Sequence, residues 1–136
     1  MNDASSYWTP VCKLRTQLHC WVRAGLRANG TTREGDWGQL LTMPQPSYLE
    51  VSGEGPVLLR DVEWVEFSTN RVFGGMAGRP LKMVNIKDEL LSALRGMAVN
   101  WELRESSWTL ERFFEDQPVQ VVRVMNPFGP TPTALS

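Results

Sequence analysis

The sequence predicts a single α+β domain, a mostly antiparallel sheet with two main helices packed on one face. Three observations carry that expectation. Two segments place apolar residues at helical spacing, and several alternate apolar with polar residues. Most of the alternating segments follow one another through Gly- and Pro-marked turns rather than through helices. At 136 residues, with 42% apolar and 21% charged side chains, the chain has the size and composition of one domain with its own core. Residues 1–124 are expected to form that domain. Residues 125–136, which include Pro127, Pro130 and Pro132, are expected to be a Pro-rich tail.

The first element is a helix from Val11 to Ala28. Val11, Leu14, Leu18, Trp21, Val22, Gly25 and Leu26 fall in one stripe, with Lys13, Thr16, Cys20, Arg23 and Arg27 opposite. Pro10 suits its start and Asn29-Gly30 its stop. Thr31 to Gly38 is a polar loop. Asp36 to Leu41 then starts a short helix with Asp36 as cap and Trp37 as anchor, ended by Pro44 and Pro46. Tyr48 to Val51 is a short strand, and Ser52 to Gly55 a turn. Val57 to Phe67 is the strongest strand. Its alternation breaks between Trp64 and Val65, which predicts a bulge or burial on both faces.

Ser68 to Pro80 reads as a loop. Its Gly74-Gly75-Met76-Ala77-Gly78 lacks the Gly-Lys-Ser/Thr ending of a phosphate loop, so a connecting role is the better account. Asn85 caps a second helix, with Asp88 three residues on. Ile86, Leu90, Ala93, Leu94 and Met97 form its apolar face, and Gly96 marks its end. Val99 to Arg104 and Trp108 to Glu111 alternate on either side of Glu105-Ser106-Ser107. They predict a hairpin with Trp101 and Trp108 near one another across it. A helix from Ser107 to Phe114 is the alternative. Val119 to Val124 is the last strand.

Charge is balanced overall and segregated along the chain. Residues 1–34 carry net +3, residues 35–70 net −5, residues 71–100 net +3 and residues 101–136 net −2. A nucleic-acid binder shows a basic excess, because phosphate contacts dominate its affinity. The net charge of −1 argues against one. No apolar run reaches the roughly 18 residues of a membrane span. Met1 to Ser6 has neither the basic start nor the apolar stretch of a signal peptide. The expected location is therefore cytoplasmic, without membrane contact. Cys12 and Cys20, placed on one helix, stand about 12 Å apart along its axis, beyond disulfide reach. With His19 as the one imidazole, the chain shows neither a zinc pattern nor a nucleophile dyad. No metal and no cofactor is expected.

Two features remain. Asp61, Glu63 and Glu66 could serve carboxylate chemistry, but in a regular strand Asp61 and Glu63 share a face while Glu66 points the other way. Of the six tryptophans, Trp21 and Trp64 are expected in the core. Trp8 and Trp37 sit in less regular stretches where an exposed ring could anchor a partner. An acidic strand region, candidate exposed aromatics and no catalytic constellation point to binding rather than catalysis.

Asp36-Trp37-Gly38-Gln39-Leu40-Leu41, then Val62-Glu63-Trp64-Val65-Glu66-Phe67 about twenty residues later, then a helix and a terminal hairpin, resembles a group of small bacterial α+β proteins. These are similar to the immunity partners of secreted antibacterial toxins. The resemblance covers roughly residues 35–114 and implies no catalytic residues. It implies a non-enzymatic protein that binds a cognate toxin or effector and covers its active site. The acidic residues Glu50, Glu54, Asp61, Glu63 and Glu66, with Trp37 and Arg71, are the expected contacts. They suit the basic cleft of a toxin acting on nucleic acids or nucleotides. The rival expectations are a secretion chaperone or adaptor for an effector, a carboxylate-using enzyme, and a structural protein. Either a monomer or a homodimer is compatible with this reading.

Overall fold

The computed structural model of the chain describes residues 4–35, 37–38, 41–45, 48–51, 54–73, 77–80, 82–109 and 118–129. The fold is α+β. Helix α1 (Ala4–Leu18) leads into strands β1 (Val22–Ala28) and β2 (Thr31–Glu34). A small sheet follows, of β3 (Leu41–Gln45), β4 (Tyr48–Val51) and β5 (Gly55–Leu58). A 3-10 turn (Leu59–Asp61) enters β6 (Val62–Ser68), then come the ribbon β7 (Asn70–Phe73) and β8 (Lys82–Asn85), helix α2 (Lys87–Arg95), β9 (Trp101–Thr109) and β10 (Pro118–Met125). The main sheet is antiparallel throughout, in the order β2-β1-β6-β10-β9.

Both helices join the core on one face of that sheet. Trp8, Val11 and Leu14 from α1 and Leu90 and Leu94 from α2 meet Val22, Ala24, Val62, Val65, Phe67, Val122 and Val124 from the strands. Leu41, Leu49 and Val51 of the small sheet complete the cluster. Asn126 locks its layers together. Its Nδ2 donates to the Leu59 and Val62 carbonyls at 2.8 and 2.7 Å, and its Oδ1 accepts from Trp8 Nε1 at 3.1 Å. Packed structure therefore continues past Met125: Asn126 is buried, and a Cβ on Gly129 would collide with the Val62 carbonyl.

Several expectations are corrected. The helix expected over Val11–Ala28 is a helix and a strand. It begins at Ala4 and runs through Pro10, held by the burial of Trp8, Val11 and Leu14. It stops at Leu18, with His19 at φ 55°. Residues 22–28 fit a helical stripe, but Val22, Ala24 and Leu26 also alternate with Arg23, Gly25 and Arg27. The period-2 reading wins because it lays an apolar face on the core. Asn29 and Gly30, at φ 52° and 79°, form a hairpin turn rather than a helix stop. The left-handed conformation that favours these two residue types serves both uses.

Of the expected short helix over Asp36–Leu41, residues 36, 39 and 40 lie outside the described residues. Gly38 instead bridges Val22, and Leu41 opens β3. The long strand Val57–Phe67 is cut by the 3-10 turn into β5 and β6. Part of the expected Ser68–Pro80 loop is strand β7. Gly74 to Met76 lie outside the described residues. The C-terminal hairpin is instead one continuous strand, so Trp101 and Trp108 share β9 rather than face each other. This strand also takes in Ser107, where the alternative helix was to begin. Tyr48–Val51 is a strand as expected. The N-cap of α2 is Ile86, one residue later than expected, and Asn85 just before it accepts the Lys87 N–H on its Oδ1 at 2.9 Å. Trp8 is fully buried and not a surface ring.

Candidate functional site

The sheet face opposite the helices carries a charged ladder. The register sets Arg23 of β1 against Glu66 of β6, Glu66 against Arg123 of β10, and Arg123 against Glu102 of β9. Signs alternate across four strands. Directly opposed residues on one face of an antiparallel pair lie close enough for such charges to couple. Glu66 is only 1% exposed and both its oxygens are used. Arg23 Nε donates to Oε1 at 2.7 Å and Arg123 Nε to Oε2 at 2.9 Å. Arg23 also donates to Glu34 of β2, at 2.9 Å.

Aromatic rings fix the guanidinium groups from the side. Arg123 lies over the Trp64 ring at 4.0 Å, and Arg23 over Trp37 at 4.8 Å and Trp64 at 5.7 Å. Gly25 makes this possible, since a Cβ there would sit inside the Trp64 indole. A bulge supplies the remaining member. Gly25 pairs with Trp64 and Leu26 with Val62, which leaves Glu63 as the extra residue. Its carboxylate reaches Arg27 at 2.6 Å and the Thr32 hydroxyl. Glu63, Trp64 and Glu66 thus serve one face, while Val62, Val65 and Phe67 serve the core.

Two depressions of about 380 and 370 Å³ flank Trp64 and share it with Glu63 and Arg123. Thr32 and Glu34 line one, and Asn100, Met125, Asn126 and Pro127 line the other. Guanidinium, indole and carboxylate groups are held against one another on this face, with Trp64 and Glu66 buried. Among the described residues, no group of three or more His, Cys, Asp or Glu is placed to hold a metal ion. Both thiols, Cys12 and Cys20, are buried, which pushes each up to about 12. Burial also raises the Tyr7 phenol, against the lowering effect of its hydrogen bond with the Asn100 backbone. No described helix is long and apolar enough to cross a membrane.

The expected contact residues are distributed differently from the sequence reading. Trp37, Glu63 and Glu66 come together in the ladder. Glu66 is corrected from a contact to an internal strut, since its carboxylate is covered and shared by two arginines. Glu63 and Glu66 share a face, against the expected opposition, because the bulge turns Glu63 over. Glu54 pairs with Arg33 at 2.6 Å. Glu50 lies on β4, Asp61 in the 3-10 turn and Arg71 on β7, each half-buried. The uniformly acidic face therefore becomes one of alternating sign. Arg23, Arg27, Glu34, Trp64 and Arg123 are the site residues that sequence reasoning missed. Arg23 and Arg27 were assigned to the polar back of a helix. The available signal was Arg123, the one charged residue of the last strand.

The fold and this face define an α+β protein whose main sheet carries an ionic and aromatic face opposite its helices. No family model, no curated protein and no solved structure matches the chain.

Proposed function

We propose that this chain is a non-enzymatic protein-binding protein of the immunity type, which binds a cognate antibacterial toxin and covers its active site. The observation that carries the reading is the ladder itself. Arginine and tryptophan dominate binding hot spots, and here they are held in place before any partner arrives. Preorganisation removes the ordering cost that flexible surface side chains meet on binding. The exposed carboxylates of Glu34 and Glu102, with side chains 54% and 50% exposed, flank the ladder and suit a basic cleft. Alternating signs add specificity, because a wrong partner meets like charge at some rung.

The test is co-expression in bacteria with the product of the gene adjacent to this protein's own, after that product has been assayed alone for toxicity. Growth rescue and a one-to-one complex are expected. The double variant Glu34→Lys/Trp37→Ala should weaken the complex at least tenfold and lose rescue while its circular dichroism stays that of the parent. Full rescue by that variant would refute the ladder as the contact surface. Failure of the parent protein to rescue growth or form the complex would refute the immunity reading.

A further inference from the structure

The main sheet ends in two edge strands, β2 and β9. Among the described residues β9 pairs with β10 alone, and none of them adds a strand to its other edge. Unpaired edges are templates for another strand. Which backbone groups face outward follows from the ladder. Met125 N donates to the Asn100 carbonyl at 2.8 Å, and the Tyr7 hydroxyl bridges the Asn100 N–H to the Met125 carbonyl, so these two residues direct their backbone groups at each other. Antiparallel pairs alternate, so Glu102 and Arg104 direct their backbone groups to β10. Trp101, Leu103 and Glu105 turn theirs to the other edge.

The side chains along this edge are self-complementary. Glu102 and Arg104 share the ladder face and bond each other at 2.8 Å. Leu103 lies on the opposite face, paired with the core residue Val122, yet it is 38% exposed because the core stops short of it. A two-fold axis normal to the sheet, midway between the Leu103 residues of two copies, pairs their β9 strands antiparallel. That operation keeps each face on its own side. It sets Leu103 against Leu103 of the other copy as a hydrogen-bonded pair. It also sets Glu102 against Arg104 twice, as non-hydrogen-bonded pairs, whose side chains approach most closely. Centring on Glu102 or Arg104 instead opposes no carboxylate to a guanidinium. Edge strand β2, Thr31-Thr32-Arg33-Glu34, has no residue-centred register that does so either.

We propose that β9 is a self-association edge, through which two copies of this chain join their sheets into one of ten strands about Leu103. The occupant is a second copy because the charge order Glu-Leu-Arg matches its own reverse. The proposal rests on the edge of the sheet and not on the identity of a ladder partner, although Glu102 serves both surfaces.

Sedimentation of the full chain over a range of concentrations tests it. The expected result is a dimer of twice the 15.4 kDa chain mass. Arg104→Glu opposes like charges at both rungs and should weaken dimerisation at least tenfold. Glu102→Arg should do the same. An equimolar mixture of the two variants opposes two carboxylates to two guanidiniums and should restore the dimer. The swapped double variant, Glu102→Arg with Arg104→Glu, should dimerise like the parent, and circular dichroism checks that each variant is folded. A parent that stays monomeric throughout overturns the proposal. So does a dimer that Arg104→Glu leaves intact, or one that neither the mixture nor the swap restores.

Discussion

Glu66 shows what a single buried carboxylate does to its surroundings. It sits between Arg23 and Arg123 with both oxygens bonded, in a strand that otherwise reads as core. Removing one member of a buried ionic group leaves the others uncompensated, a loss of about 3–5 kcal/mol. Glu66→Gln keeps the shape and removes the charge, so two guanidinium groups then face each other. The expected outcome is a loss of about 3 kcal/mol in urea unfolding. Arg104→Ala, at an exposed pair, should cost under about 1 kcal/mol in the same measurement. Glu63 and Glu66 were visible in the sequence as carboxylates in an apolar strand. Their partners were not, because Arg23, Arg27 and Arg123 lie 36 to 57 positions away along the chain.

Element identity was legible where one period dominated. Helix α2, with its apolar face and with Asn85 bonding its first N–H, and strand β4 follow their sequence patterns closely. Residues 22–28 satisfy both periods, and only the neighbouring β6 decides between them. The β9 turn was misassigned because Glu105-Ser106-Ser107 is polar. It contains no Gly, Asn or Pro to support a reversal, so the strand continues. Gly25 is the element-scale counterpart of Glu66. It marks the bulge and holds the space that Trp64 fills. Gly25→Ala should destabilise the fold by about 1–3 kcal/mol through overpacking, read from the same unfolding curve. It should also shift tryptophan fluorescence, since the Trp64 ring must leave its place over Arg123.

At the scale of the molecule, one side of the sheet is apolar and covered by helices, and the other is ionic and preformed. Asn126 joins the end of β10 to α1 and to the start of β6. Asn126→Ala would leave the buried Trp8 Nε1 without its acceptor and remove a donor from two carbonyls. An unsatisfied buried group costs about 1–3 kcal/mol, so a stability loss of about 3 kcal/mol is expected in thermal or urea unfolding. The arrangement also places the two interaction surfaces differently, with the ladder on the face and β9 on the edge. A partner on the ladder and a second copy at β9 engage different atoms, apart from Glu102, which belongs to both.

Composition and periodicity were enough to establish an α+β class, the second helix and the carboxylates Glu63 and Glu66 as candidates. These are local properties, carried by residues a few positions apart. The tertiary structure decided that residues 22–28 are a strand, that Glu66 is internal and that Glu54, Glu63 and Glu66 of the acidic run are paired with arginines. Each depends on strand register, which brings together residues tens of positions apart and has no local signature. The net −5 of residues 35–70 was real as a sum. Its meaning changed once β1 and β10 laid their cations beside it.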